Sequence, residues 1–424
     1  MQSPPGPISR GEHLAFLEVL GSMRANDARW TPTMAGFVTV RLVDKWAEAL
    51  RGWLAPRPSE VAAVRDAIDK VAAGPTRNAL TAIVDAITQS WGRRRSQVSA
   101  RLLSYAALLS DGREWALSAD IYRTFLSLAY ETERDLVCHA WHRIGWCELW
   151  LGHYPEAETA FSLAREQAQE LSDRYVELAS AQGLAVIASR RGNLPKADAE
   201  FAAVVTACEQ YLAEVPALGE LLASALHERG NTAVRRGDLD RAFALLGRAL
   251  SEARDQNQRD RILLDLAFAF MEVGLLDTAR RAYLVVEIAG DDPKLRWIAG
   301  VNLMHLATLE GAETVFERHR KALVSEPLPP RLAVSFQITV GEGYKRFGRT
   351  PQARAAFDRA IVLAERHQLN RELIEAETAR DALVSEPTAP KVDRVIEPMD
   401  LGEATVHARE VVELMSAELA GAGV

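Results

Sequence analysis

WHRIGWCELWLGHYPEAETAFSLA, residues 141–164, carries three tryptophans, two histidines and a cysteine within a few helical turns, a density that invites a reactive-site reading. Its apolar and small residues have a different explanation, because they recur along the chain at fixed offsets. Trp141, Gly145, Gly152, Tyr154, Ala157, Phe161 and Ala164 are followed by Ala181, Ala185, Gly192, Leu194, Ala197, Phe201 and Val204 at identical spacing. Leu226, Gly230, Gly237, Leu239, Ala242, Leu246 and Ala249 repeat the pattern, as do Leu263, Ala267, Gly274, Leu276, Ala279, Tyr283 and Val286. Gln337, Gly341, Gly348, Ala353, Phe357 and Ala360 make a late copy. Self-similarity of this kind signals an array of stacked units.

Each offset has a physical reason. Glycine inside a helix costs about 1 kcal/mol relative to alanine, so a small residue there implies close approach of a second helix. Glycine seven residues later suits a left-handed helix stop. An alanine and a large residue four positions on, such as Ala157 and Phe161, share one face of the helix that follows. A degenerate unit (Gly300, Leu309, Ala312, Phe316) and an opening one (RLLSYAALLSDGREWALSADIYRTFLSLA) bring the array to about seven units over residues 98–366.

The pattern resembles the tetratricopeptide repeat family. That resemblance implies an all-α, right-handed superhelical solenoid of helix hairpins. Units mostly near 40 residues are similar to those of Rap-like peptide-responsive proteins and MalT-like regulators. Ahead of the array, residues 9–92 form a small helical bundle, with helices expected near 11–24, 34–54, 59–73 and 77–91. Beyond it come a capping helix at 370–385, a proline-bearing linker at 386–398, and a C-terminal amphipathic helix at 401–420 with Ala404, Ala408, Val411, Val412, Met415 and Leu419 on one side.

Composition narrows the function. With 48% hydrophobic and 25% charged residues the chain is that of a folded, soluble protein. A net charge of -8 gives no general reason to hold nucleic acid, and the basic run RRRS at 93–96 reads as a solvated helix end. Three cysteines without CxxC spacing fit a reducing compartment, and MQSPPGPISRGEH does not read as a secretory leader, so a cytoplasmic location is expected, without membrane insertion.

Phosphate-cradle, dinucleotide, nucleophile-elbow and zinc-protease patterns are all absent. Cys138, His139 and His142 lie close on one helix, but nothing marks a further ligand, so ordinary core thiols and histidines are the better reading and no metal or cofactor is expected. The expectation is a non-enzyme. In tetratricopeptide arrays the first helices of the hairpins line the binding groove, and the resemblance therefore implies a protein or peptide partner contacted by first-helix residues outside the packing offsets. Those are His139, His142, Arg143, Trp146 and Trp150, then Gln182 and Arg190, then Ser224, His227, Asn231 and Arg235, and finally Ser335, Glu342, Lys345 and Arg346. The chain lacks the lysine and asparagine pattern of the carboxylate-clamp members, which argues against chaperone tails. Two alternatives are a scaffold using the outer face or C-terminal helix, and an enzyme in which Glu12, His13, Asp44, Glu48 and Arg51 meet in the N-terminal bundle.

Overall fold

The computed structural model describes residues 12–24, 26–50, 55–89, 95–129, 131–385 and 402–421. The expected linker at 386–398 lies outside these residues, as do Arg51 and residues 93–94 of the basic run. Among the described residues there are twenty α-helices and no strand. The chain divides into two compact units, residues 1–200 with 213–215, and residues 201–212 with 216–424.

The first unit begins with α1 (Leu14–Ser22), α2 (Trp30–Ala49), α3 (Pro58–Asp69) and α4 (Pro75–Gln89). α2 starts one turn before the expected residue 34, since Pro32 falls in its first turn, where a missing N–H leaves no bond unmade. α5 (Arg95–Asp111) and α6 (Trp115–Leu128) pack together, as do α7 (Arg134–Leu151) and α8 (Tyr154–Leu171), and α9 (Arg174–Arg190) packs on α8. One apolar core runs from Phe16 on α1 through Val43, Leu80, Tyr105 and Phe125 to Ile144 and Ala160, so the N-terminal helices and the first hairpins share a single interior. α10 (Leu194–Tyr211) follows a turn at Gly192.

In the second unit α11 (Leu218–Arg235) pairs with α12 (Leu239–Glu252), α13 (Gln256–Glu272) with α14 (Leu276–Ala289), α15 (Pro293–Glu310) with α16 (Glu313–Leu323), and α17 (Pro330–Arg346) with α18 (Thr350–Arg366). α19 (Asn370–Ser385) covers α18 through buried Ala376 and half-buried Leu373 and Ala379. α20 (Glu403–Gly421) lies across the second helices α12 and α14, burying Thr405, Ala408 and Val412.

The repeat offsets do what their chemistry demands. Gly152, Gly192, Gly237, Gly274 and Gly348 end first helices at φ between 74° and 83°. At the first of them, His153 N–H donates back to Glu148 O (2.9 Å) and Gly152 N–H to Leu149 O (3.1 Å), which satisfies two orphan carbonyls. In the opening hairpin the left-handed residue is Arg113 (φ 60°), one place after Gly112, and this shift is why that unit matched less well. Asp173, Asp255 and Asp292 cap α9, α13 and α15, accepting from backbone N–H groups at 2.8–3.0 Å.

The helical glycines admit side chains from neighbouring helices. A Cβ on Gly145 would stand 2.6 Å from the Phe161 ring, and one on Gly183 would stand 2.5 Å from the same ring, so Phe161 fills the space that both glycines leave. Leu246 is seated on Gly230, Phe357 on Gly341 and Phe316 on Gly343 in the same manner. Gly145→Ala and Gly183→Ala are each expected to destabilise the protein by about 1–3 kcal/mol through overpacking. Denaturant melts check this, and unchanged midpoints would mean that Phe161 does not hold the two helices in this way.

His13 joins three helices. It is 4% exposed, and its two ring nitrogens donate to Asp120 Oδ1 on α6 (2.5 Å) and Asp44 Oδ2 on α2 (2.8 Å). Burial by itself would depress its pKa, but hydrogen bonds to Asp120 and Asp44, with their charges, outweigh that and raise it from 6.5 to about 9. A raised histidine pKa gives stability that is complete below about pH 6.5 and lost as pH climbs through about 9, on the order of 3 kcal/mol in all. Thermal melts should therefore show a stability decline between pH 7 and 9.5 that Asp120→Asn flattens; equal slopes in both proteins would refute the clasp.

Candidate functional site

α7 presents its non-packing residues along one stripe, since His139, Arg143, Trp146 and Trp150 follow intervals of four, three and four. His139 and Arg143 are exposed, Trp146 is half-buried, and Trp150 is 51% exposed. His139 Nε2 stands 3.3 Å from Asp173 Oδ2.

His142 differs from the others because it is buried. Its Nδ1 lies 3.1 Å from Ser180 Oγ on α9, and its Nε2 accepts from Trp146 Nε1–H at 3.2 Å. Burial first, then the nearby Arg143 and His139 charges, push its pKa down to about 3. The neutral ring with a free Nε2 lone pair is the form this bond to Trp146 needs. His142 thus positions Trp146, whose ring also meets Phe161 edge-on at 5.5 Å.

Trp150 stands in a three-part stack. Trp115, the first residue of α6, lies 6.1 Å from it at an interplanar angle of 21°, and the Arg190 guanidinium of α9 covers it at 5.8 Å. The structure therefore brings Trp150 of one unit against Arg190 of the next, and adds Trp115. That residue occupies the offset of Tyr154 and Leu194, a packing position, which concealed it. Gln182, also expected on this face, is buried.

In the second unit His227 and Asn231 of α11 converge on one carboxylate. His227 Nε2 lies 2.7 Å from Asp265 Oδ2, and Asn231 Nδ2–H donates to the same oxygen at 2.8 Å. Asp265 on α13 was missed, although a lone carboxylate inside the apolar run ILLDLAFAF was the signal for it. Arg235 is exposed one turn beyond Asn231, Ser224 is half-buried one turn before His227, and Phe268 on α13 is 43% exposed. Lys345, Arg346 and Glu342 lie on α17, a later member of the series, which packs on α15, α18 and α19; Ser335 is half-buried near its start. Lys345 and Arg346 occupy the last turn of that helix, where the macrodipole favours cations.

The reactive-looking groups are held in their neutral forms. Cys138 is buried, donates to Ala164 O at 3.3 Å, and is pushed by burial first, then by Asp173 and Asp135, up to about 12. Burial likewise raises Cys147. Among the described residues no group of three or more histidine, cysteine or acidic side chains is placed to share a metal ion. A shallow cavity of about 190 Å³ lies by α8 and α10, lined by Glu158, Leu184, Arg191 and Lys196, away from the first-helix stripe, and its Arg191 and Glu158 already pair at 2.8 Å. No helix among the described residues is long and apolar enough to cross a membrane.

His142 is expected to stay neutral across the range in which proteins are ordinarily handled. Its ring resonances should not titrate between pH 5 and 8, and Trp146 emission should be flat there; a midpoint near 6.5 would contradict the buried pairing.

No protein-family model matches the chain, and no curated protein matches it. Solved structures do. The Rap conjugation gene regulator of the plasmid pLS20, in complex with its Phr peptide, superposes with a TM-score of 0.51 at 14% identity, over 80% of this chain and 97% of that one. The apo quorum sensor NprR from B. thuringiensis gives 0.49 at 12% identity, over 84% and 98%. Aspartyl phosphate phosphatase F from Bacillus subtilis gives 0.46 at 12%, over 81% and 95%. The chain has the all-α architecture of tetratricopeptide-type, Rap-like proteins.

Proposed function

We propose that the protein recognises a peptide or an extended protein segment along the first-helix face of its repeats, as a regulator and without catalysis. The observation that carries this reading is the stack of Trp115, Trp150 and Arg190. Trp150 and Arg190, displayed outside the packing offsets, are side chains that a binding surface keeps and a purely structural array does not need, and Trp115 backs them from a packing position. Residues of three different helices build it, and Phe161, seated on Gly145 and Gly183, supports Trp146 from below. In the second unit Asp265, held by His227 and Asn231, offers an oriented acceptor to backbone or side-chain donors of a ligand. Arg235, Lys345 and Arg346 extend the polar surface, with His139 and Arg143 doing so in the first unit.

Support also comes from the fold, since the pLS20 regulator of like architecture was solved with a peptide bound. The phosphatase among the neighbours shares only the fold at 12% identity. A solenoid also suits regulation, because each repeat contacts mainly its neighbours and occupancy can propagate as a change of curvature.

Photocrosslinkers placed at Trp150 and Phe268 are expected to trap peptide ligands, whereas crosslinkers at Glu166 on α8 and Arg248 on α12 are expected to trap few. Asn231→Ala with Arg235→Ala, or Trp150→Ala with Arg190→Ala, should weaken capture about tenfold with the helical content intact. Equal capture from both helix faces and by the double variants would remove the assignment.

A further inference from the structure

We propose that the Trp115, Trp150, Arg190 and Arg143 surface is a subsite for an acidic peptide, with carboxylates on the two arginines and an apolar side chain between them on the tryptophans. This rests on the recognition reading and assigns its ligand chemistry.

The charge pattern points to it. Many arginines of the first unit are paired with carboxylates, among them Arg123 with Glu148, Arg134 with Glu170, Arg174 with Glu177 and Arg191 with Glu158. Among the described residues Arg143 and Arg190 have no carboxylate partner, which they share with Arg101, Arg113 and Arg165, but of these Arg190 stands over an indole ring and Arg143 shares the α7 stripe with Trp150, in a chain whose 58 acidic residues outnumber its 50 basic ones. Both are exposed on first helices; Arg190 lies over exposed Trp150, which stacks on half-buried Trp115, and Arg143 lies two turns before Trp150 on α7.

The geometry of Arg190 sharpens the chemistry. Its guanidinium carbon sits 5.8 Å from the Trp150 ring centroid, so the indole supports one side of the cation. A stacked guanidinium keeps its N–H donors in the plane of the group, free to form a two-pronged bond with a carboxylate. Trp115 on the other side of the stack holds Trp150 in place, at 6.1 Å and 21°. A platform fixed before the ligand arrives loses less side-chain freedom on binding.

Spacing sets the ligand pattern. Arg143 and Trp150 are seven residues apart on α7, which is about 10 Å along the helix axis. An extended peptide covers that distance in about three residues. Because the Arg190 guanidinium sits over Trp150, this is also about the axial separation of the two cations, and the ligand is a segment with acidic residues about three apart and a leucine or phenylalanine between them. Stacked tryptophan with arginine also suits single-stranded nucleic acid, but the net charge of -8 opposes a polyanion, and the test separates the two.

The test uses two labelled twelve-residue peptides in an extended frame. One carries glutamates three residues apart with phenylalanine between; the other carries glutamines in their place. Fluorescence anisotropy with the full chain is expected to show at least tenfold tighter binding of the acidic peptide. Arg190→Gln and Arg143→Gln should each erase most of that preference, and Trp150→Ala should weaken both peptides. Arg191→Gln, which breaks the pair between the end of α9 and Glu158 on α8, should change nothing. Equal binding of the two peptides, still lost in Trp150→Ala, would overturn the acidic specificity while leaving peptide recognition standing. Binding of a twelve-nucleotide oligothymidine with neither peptide bound would overturn both.

Discussion

The contact on which the other features depend is a ring pressed against bare backbone. Phe161 occupies the volume that Cβ atoms on Gly145 and Gly183 would fill, so α7 and α9 are each brought against α8 through one side chain. A helical glycine costs about 1 kcal/mol of helix stability, and burying a phenylalanine returns about 1.5–3 kcal/mol. The exchange favours the packed hairpin only when both partners are present. Leu246 with Gly230, and Phe357 with Gly341, apply the same exchange further along the chain. Because so few positions set the helix spacing, the remaining first-helix positions are free to carry other chemistry.

Packing and site are physically continuous in the first unit. Phe161 meets Trp146 edge-on, His142 accepts the indole N–H of Trp146, and Ser180 on α9 holds His142. Displacing Phe161 therefore tilts the surface as well as loosening the hairpin. The histidine works here because it is kept neutral; a protonated ring would have no lone pair for Trp146 and would set a buried positive charge near that of Arg143.

What the sequence revealed and what it hid divide along the same physical line. The glycines that close a hairpin on itself, Gly145, Gly230 and Gly341, were legible because their partners lie in the same repeat at a fixed offset. Gly183 and Gly343 were not, since each receives a ring from the preceding hairpin, and a within-repeat comparison cannot register that contact. Trp115 was hidden by standing at a packing offset, and Asp265 by its apolar neighbours. His13 and Asp44 were suspected of meeting, yet Asp120, 107 residues from His13, could not be assigned as the second partner without the fold.

The titratable interior is given over to structure. A group that moves protons near neutrality works best with a pKa near 7, and a reactive cysteine needs an environment that favours its thiolate. Cys138 is pushed up to about 12 and His142 down to about 3, each mainly by burial and each toward its neutral form. His13 moves the other way and is locked as a cation between two aspartates, a charge used to join α1, α2 and α6. Each of these groups contributes structure, and none is poised to exchange a proton at neutral pH. Arg143 and Arg190, without carboxylate partners among the described residues, stand on the surface, Arg190 over the exposed Trp150 ring. A cation in that setting is one that a ligand carboxylate could neutralise, which is the electrostatic basis of the proposed subsite.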